Sequence, residues 1–202
     1  MTGRLAPAAP PELPAAPETD WDALVDALRG YGVRHLSGGT QDARPGARAR
    51  GGQSPLAPAT LVARLALSPE PRLRRALVPL FLVHPEVAAA AHQVAIELPE
   101  KARDALIRAY VAAVYLQRLW WTRLRRYLGD QPLLPPYWID ELGLPPPEAR
   151  FGRVGLAALA EREGRRQAHR ADPYAKAAQS LFGQLLAERA VAHRLQPTPA
   201  PA

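Results

Sequence analysis

The residue types that most often bind metals or catalyse reactions are few in this chain, and their spacing forms no known motif. No two of the five histidines lie three or four residues apart, the spacing that places two imidazoles on one face of a helix, and the chain has no cysteine. The histidines are His35, His84, His92, His169 and His193. The sequence therefore predicts no metal centre, no disulfide and no thiol chemistry, and we expect no cofactor.

The sequence also lacks the serine and glycine motifs of catalysis and phosphate binding. No serine follows the pattern of a strained strand-to-helix turn that exposes a nucleophile. The Gly38-Gly39 pair has neither a preceding strand nor the lysine of a phosphate-binding loop. An enzymatic reading would need an acid and a base that meet only in the fold, and His92, Glu97 and Asp104, near a predicted helix junction, are its candidates. We expect a protein that is not an enzyme.

A first group of arginines, Arg72, Arg74 and Arg75, follows a predicted helix and turn. In a helix-turn-helix motif these side chains would lie against DNA at the N-terminal end of the recognition helix. The same stretch, SPEPRLRRAL, resembles the proline and arginine at the start of the second helix of a HEAT-type pair, but the chain lacks the three or more repeats of a solenoid. Plain helix packing with a solvated arginine face is the third interpretation.

A second basic group lies near the end of a long predicted helix, where arginines alternate with aromatic residues. Its members are Trp120, Trp121, Arg123, Arg125, Arg126 and Tyr127. Guanidinium groups and rings together can contact phosphates and unstacked bases, which makes the three arginines candidate nucleic-acid contacts. In the alternative interpretation, the cations complement the helix dipole while the tryptophans pack inward.

A short apolar segment enclosed by prolines is a candidate docking element. Its apolar residues are Tyr137, Trp138, Ile139 and Leu142. Because Trp138 and Leu142 are four residues apart, they lie on one side of a helical turn, and a groove on a protein partner could accept them. The alternative is that the segment folds back on the central helix of its own molecule.

The charge of the chain is basic, with 26 lysines and arginines against 19 acidic residues and a formal net charge of +7. Such a balance favours anionic partners, either nucleic acid or acidic proteins. The first residues lack the apolar stretch of a signal peptide, and the longest apolar stretch is interrupted well before the roughly 20 residues of a membrane span. We therefore expect a cytoplasmic protein with no membrane contact.

The segment 98–128 reads as one long helix that is too apolar to lie on a surface. Between Ala105 and Trp121 only Arg108, Gln117 and Arg118 are polar, so apolar side chains point in almost every direction around the axis. Other helices must surround it. Valine and isoleucine are sparse, and no segment alternates with the period of a strand. The sequence predicts an all-α fold, a single bundle of about five or six helices around this central buried helix.

The predicted organisation follows the proline and glycine clusters, which mark where packing stops. We predict a disordered arm over residues 1–18, a short docking helix over 19–32 and a flexible basic linker over 33–58. An all-α domain follows over residues 59–195, and a disordered tail over 196–202. Within the domain, Ser68 is a predicted N-cap with Pro69 in the first turn, and Pro79 is predicted to kink the helix that follows. Asp172 and Pro173 are predicted to begin the last helix.

These features favour a non-enzymatic interaction or regulatory protein that binds another macromolecule, with a protein as the expected partner. The alternative is a DNA- or RNA-binding regulator that uses the clustered arginines, and the third class is an enzyme whose site forms only in three dimensions. The sequence leaves the oligomeric state open.

Overall fold

The computed structural model describes residues 21–34, 36, 56–163 and 173–194. All regular secondary structure in these ranges is helical, and no strand occurs in them, so the predicted all-α class is confirmed. The predicted arm 1–18, the tail 196–202 and most of the linker 33–58 lie outside the described residues.

The described helices run in chain order as follows: α1 Trp21–Gly30, α2 Pro58–Leu67, α3 Pro71–Arg75, α4 Leu77–Val83, α5 Ala88–Glu97, α6 Glu100–Leu119, α7 Trp121–Leu128, α8 Arg153–Arg162 and α9 Pro173–Arg194. Short 3-10 turns at Pro85–Val87 and Ala149–Gly152 precede α5 and α8. The described parts of residues 58–194 thus contain eight α-helices, where about five or six were expected. The excess arises because two helices that were predicted to be continuous are each divided.

Helix α6 is the centre of the bundle. It spans 20 residues, or about 30 Å, and it packs against α2, α4, α5, α8 and α9. From Tyr110 to Leu116 every side chain is fully buried, on all sides of the axis. The all-round apolar character of this sequence is therefore explained by neighbouring helices on every side, as expected.

The predicted helix 98–128 is divided at Trp120, which is a correction to the expected single helix. Trp120 leaves helical geometry, with φ −113° and ψ 17°. Its N–H still donates to the Leu116 carbonyl, and its own carbonyl accepts from Leu124 N–H, both at 2.9 Å, so no loop intervenes. No proline or glycine marks this bend. It coincides with a stacking contact between Trp120 and Phe182 of α9, a tertiary interaction that has no local sequence signal.

The helix predicted to begin at Ser68 also differs from expectation. It begins at Pro71, and Ser68 instead accepts a hydrogen bond from Glu70 N–H through its hydroxyl oxygen at 3.2 Å. The break lies at Ala76, three residues before Pro79, rather than at the proline itself. Proline has no N–H to offer the carbonyl four residues earlier, and its ring crowds that carbonyl, so the disruption appears one turn upstream of Pro79.

Helix α1 docks on the body through the apolar row that its spacing predicts. Leu24, Val25 and Leu28 are buried. Beyond the helix, the Tyr31 hydroxyl donates to the Leu56 carbonyl at 2.8 Å. The Tyr31 carbonyl in turn lies 2.9 Å from Nε2 of His84, so α1 is held at both α2 and the end of α4.

The proline-rich segment 130–147, here called the proline strap, lies along α6 without regular structure. Gln117 forms a paired contact with it, because Nε2 donates to the Pro132 carbonyl at 3.0 Å and Oε1 accepts from Leu134 N–H at 2.7 Å. Arg118 donates to the Leu134 carbonyl at 3.1 Å. The hydroxyl of Tyr110 fixes the strap further along, at the Pro135 carbonyl (3.0 Å). Side chains of the central helix thus provide the partners that a strap outside any helix or sheet needs.

Helix α8 and the turn before it pack so closely against α6 that a residue with a Cβ does not fit at two positions of the contact. A Cβ on Gly152 would lie 2.3 Å from the Tyr115 carbonyl oxygen, and one on Gly155 would lie 2.0 Å from the Tyr115 ring. Gly152 also has a φ of +83°, a left-handed conformation that glycine adopts without strain. The Tyr115 hydroxyl donates to the Pro145 carbonyl of the strap at 2.7 Å.

None of the described helices is by itself both long and apolar enough to cross a membrane. The helical segments Pro71–Val83 and Pro85–Glu97 reach that length and composition only together, across a bend of 114°.

Candidate anion-binding cleft

A cleft opens between α3, α6 and the first turn of α9, with a volume of about 420 Å³. Its lining combines apolar and charged side chains: Pro71, Arg74, Arg75, Ala105, Arg108, Ala109, Glu163, Pro173 and Tyr174. A second cleft of about 150 Å³ adjoins it and shares Arg75 and Pro173. Its other lining residues are Leu36, Arg72, Lys176, Ala177 and Ser180. We call the two together the arginine cleft.

Helix α3 carries three of the cations because only one side of this short helix is buried. Leu73 is fully buried, and the helix contacts α6 and α9. Arg72 and Arg75 are exposed. Arg74 is half-buried and held in place, since its Nη1 donates to the carbonyls of Ser68 at 2.6 Å and Pro69 at 2.9 Å. The guanidinium is therefore positioned by backbone carbonyls, which leave its charge unneutralised.

The charge of Arg108, on the α6 side, is compensated. Its Nε lies 3.6 Å from Glu163, and its Nη1 lies 4.0 Å from Asp104 one turn earlier. The Tyr174 hydroxyl also donates to Glu163, at 3.1 Å. Glu163 is thus engaged by α6 and α9 together, and of the described residues that line the two clefts it is the only carboxylate.

The other four cations of the arginine cleft have no carboxylate partner among the residues that the structure describes. Across the described ranges, none of Arg72, Arg74, Arg75 and Lys176 forms an ion pair. Helix α9, which is 22 residues long, begins at this cleft, so the positive end of its dipole adds to the same field. Guanidinium groups bind carboxylate and phosphate oxygens in forked, charge-assisted hydrogen bonds. The arrangement is that of an anion-binding cleft.

Comparison with known proteins gives no homologue on which to test this assignment. No family model, no curated protein and no solved structure matches this chain.

The second predicted arginine group lies near the other end of α6 and does not join the arginine cleft. The Arg123 guanidinium lies over the Phe182 ring at 4.4 Å and over the Trp120 ring at 5.2 Å. Arg125 forms an ion pair with Asp130. The Arg126 carbonyl accepts a long hydrogen bond, 3.5 Å, from Arg189. Two of the three guanidinium groups are thus engaged within the molecule.

The predicted docking segment lies against its own molecule in this structure. Trp138 and Ile139 are buried, and Tyr137 and Leu142 are half-buried. The Trp138 ring contacts Tyr110 of α6 edge-on at 5.1 Å. The segment is a turn rather than a helix, with Trp138 at φ +62° and the Leu142 N–H donating to the Trp138 carbonyl at 3.0 Å. This intramolecular packing corresponds to the alternative stated from the sequence.

The residues named for an enzymatic reading lie apart from the arginine cleft. The His92 ring packs on Tyr137 at 4.7 Å and stacks on Trp138 at 5.5 Å. Asp104 lies beside Arg108, and neither His92 nor Glu97 lines either cleft. Over the described ranges, no three His, Asp or Glu side chains converge closely enough to hold a metal ion.

Several cleft residues were not predicted from the sequence. Arg108 was visible as a cation in an apolar helix, and such an interruption indicates that one side of the helix reaches solvent. Lys176 follows the predicted start of the last helix. Glu163 and Tyr174 carry no local signal, because the fold alone brings the end of α8 and the start of α9 to the same position beside α6.

Proposed function

We propose that this protein is a non-enzymatic interaction protein that binds an anionic partner at the arginine cleft. The observation that supports this proposal is the group of four cations, Arg72, Arg74, Arg75 and Lys176, which line two adjoining clefts and have no carboxylate partner in the described structure. A carboxylate or phosphate from a partner supplies the missing counter-charge.

The helix-turn-helix interpretation receives less support from the geometry. Helix α3 has only five residues, and α4, which follows directly, is buried from Leu77 to Leu82. A recognition helix must project far enough to enter the major groove of DNA. The three arginines of α3 instead line a recess, into which a ligand enters.

The experiment compares two triple variants, each of which removes three positive charges. One changes the arginines of α3, in the arginine cleft, and the other changes the arginines of α7, beyond the C-terminal end of α6. In R72A/R74A/R75A the arginine cleft loses three cations, and in R123A/R125A/R126A the second group loses three. Fluorescence anisotropy measures the binding of a labelled glutamate-rich peptide, a mixed-sequence duplex and a single strand, at about 50 and 200 mM salt. Circular dichroism and thermal melting establish that each variant is folded.

We expect the cleft variant to lose at least about tenfold in affinity for the peptide, while the second variant stays within about threefold of the unaltered chain. Equal losses in both variants, together with tighter binding of oligonucleotides, would instead support the nucleic-acid alternative, because phosphate binding of that kind depends on the whole basic surface. If no anionic probe binds in a way that depends on the cleft arginines, the proposed function is wrong.

A further inference from the structure

The arginine cleft has an apolar floor beneath its charged rim. Ala109 and Ala177 are buried at the bottom of the two recesses, while Pro71, Ala105 and Pro173 form apolar parts of the larger one. Arg72, Arg75 and Lys176 are exposed at the opening. A site that bound free anions alone would gain nothing from this floor, because a small anion forms its contacts with the cations and stays hydrated on its other side.

We infer that the occupant of the arginine cleft is an acidic peptide segment that places an apolar side chain on the floor, between α3, α6 and α9, and its carboxylates on the rim. This inference rests on the proposed function and adds the class of partner. The volume of about 420 Å³ lies in the range of pockets that hold a compact ligand, which suits one or two side chains of a peptide. The adjoining recess of about 150 Å³ gives the bound peptide room to continue past Arg75.

Nucleic acid fits the described surface less well for two reasons. Single strands are held by aromatic faces on which bases stack, but among the described lining residues the only aromatic one is Tyr174, whose hydroxyl is bonded to Glu163. Duplexes need a basic track that follows the phosphates. Over the three turns of α9 that follow Lys176 the exposed residues carry no charge, and the next exposed cation, Arg189, lies thirteen positions further along.

The test uses two labelled peptides that differ only in their apolar residues. Both are short and glutamate-rich; one carries leucines between the glutamates, and the other carries serines at those positions. Both are measured by anisotropy on the unaltered full chain, so the comparison does not depend on the folding of any variant. Burying a leucine on the floor predicts at least about tenfold tighter binding of the leucine peptide.

A variant that fills the floor provides the second measurement. Ala105 is half-buried in the larger recess, and Ala105→Leu occupies that space without changing the charge. We expect it to reduce binding of the leucine peptide to the level of the serine peptide and to leave the serine peptide within about twofold. Ala187→Leu, at an exposed position of α9, is the matched control and should leave both peptides unchanged.

The outcomes separate this inference from the proposed function. Equal affinities of the two peptides, both lost in R72A/R74A/R75A, would overturn the apolar floor as a recognition element and leave the anion-binding function standing. Tighter binding of a single strand or duplex than of the leucine peptide would likewise overturn the peptide as the occupant. If neither peptide loses affinity in R72A/R74A/R75A, the proposed function and this inference both fail.

Discussion

Replacing Gln117 by leucine should weaken the whole domain, because this side chain forms two of the hydrogen bonds that hold the proline strap to α6. Gln117 is 1% exposed and participates in three hydrogen bonds: its Nε2 donates to Pro132, and its Oε1 accepts from Leu134 and Arg118. Leucine has a similar volume and offers none of them. The Leu134 N–H is buried and would lose its partner, at a cost of about 1–3 kcal/mol, and the loss of the charge-assisted bond from Arg118 adds about 1 kcal/mol.

The expected decrease in the free energy of unfolding is therefore about 2–4 kcal/mol, a large part of the roughly 5–15 kcal/mol that holds a domain folded. Urea denaturation followed by tryptophan fluorescence measures this decrease. An unchanged m-value, the slope of the unfolding free energy against urea concentration, shows that the surface exposed on unfolding is the same in both proteins. Gln179→Leu, at an exposed site on α9, is the matched control and should stay within about 0.5 kcal/mol. A decrease of less than about 1 kcal/mol for Gln117→Leu would refute the role of this network in holding the strap.

Two further predictions concern Tyr115. Gly155→Ala should lower the melting temperature strongly, because the new Cβ would lie 2.0 Å from the Tyr115 ring. Gly183→Ala on α9, where nothing lies within 4 Å, is the control and should be neutral or stabilising by up to about 1 kcal/mol. Similar melting temperatures for the two variants would contradict the close contact. Burial raises the pKa of the Tyr115 hydroxyl to about 12, with a further contribution from Asp140, so the contribution of this hydroxyl to stability should be constant below pH 10 and fall between pH 10 and pH 12 as the unfolded chain ionises first. Urea denaturation of the unaltered chain and of Tyr115→Phe at these pH values tests this prediction. The variant should be less stable at neutral pH, because it has lost the hydrogen bond to Pro145, and its free energy of unfolding should fall less steeply above pH 10. An equal fall in both proteins would contradict the prediction.

The parts of the fold that could be predicted from the sequence are those that depend on one segment at a time. The burial of α6 follows from its lack of a polar face, and the docking row of α1 follows from the spacing of Leu24, Val25 and Leu28. The start of α9 at Pro173 follows from the preference of proline for the first turn of a helix.

The parts that could not be predicted depend on two segments far apart in the chain. The bend at Trp120 coincides with a stacking contact to Phe182, more than sixty positions away, and has no local breaker. Gln117 and Arg118 are visible in the sequence only as interruptions of an apolar helix, and their role appears once the strap lies beside them. The arginine cleft likewise exists only because α3 and the start of α9 meet beside α6.

The close contact of Gly152 and Gly155 with Tyr115 also bears on how relatives of this chain can be recognised. The Tyr115 ring occupies the volume that Gly155 leaves empty, so positions 115 and 155 should change together, whereas Gly152 meets the backbone of residue 115 and should stay glycine whatever side chain stands there. A homologue with a larger residue at position 155 should carry a smaller one at position 115. Helices rich in alanine and leucine diverge easily while keeping their packing. A Gly-x-x-Gly pair after a proline-rich segment, whose second glycine covaries with an aromatic residue in the preceding long helix, therefore gives a more durable signature for alignment than the apolar pattern itself.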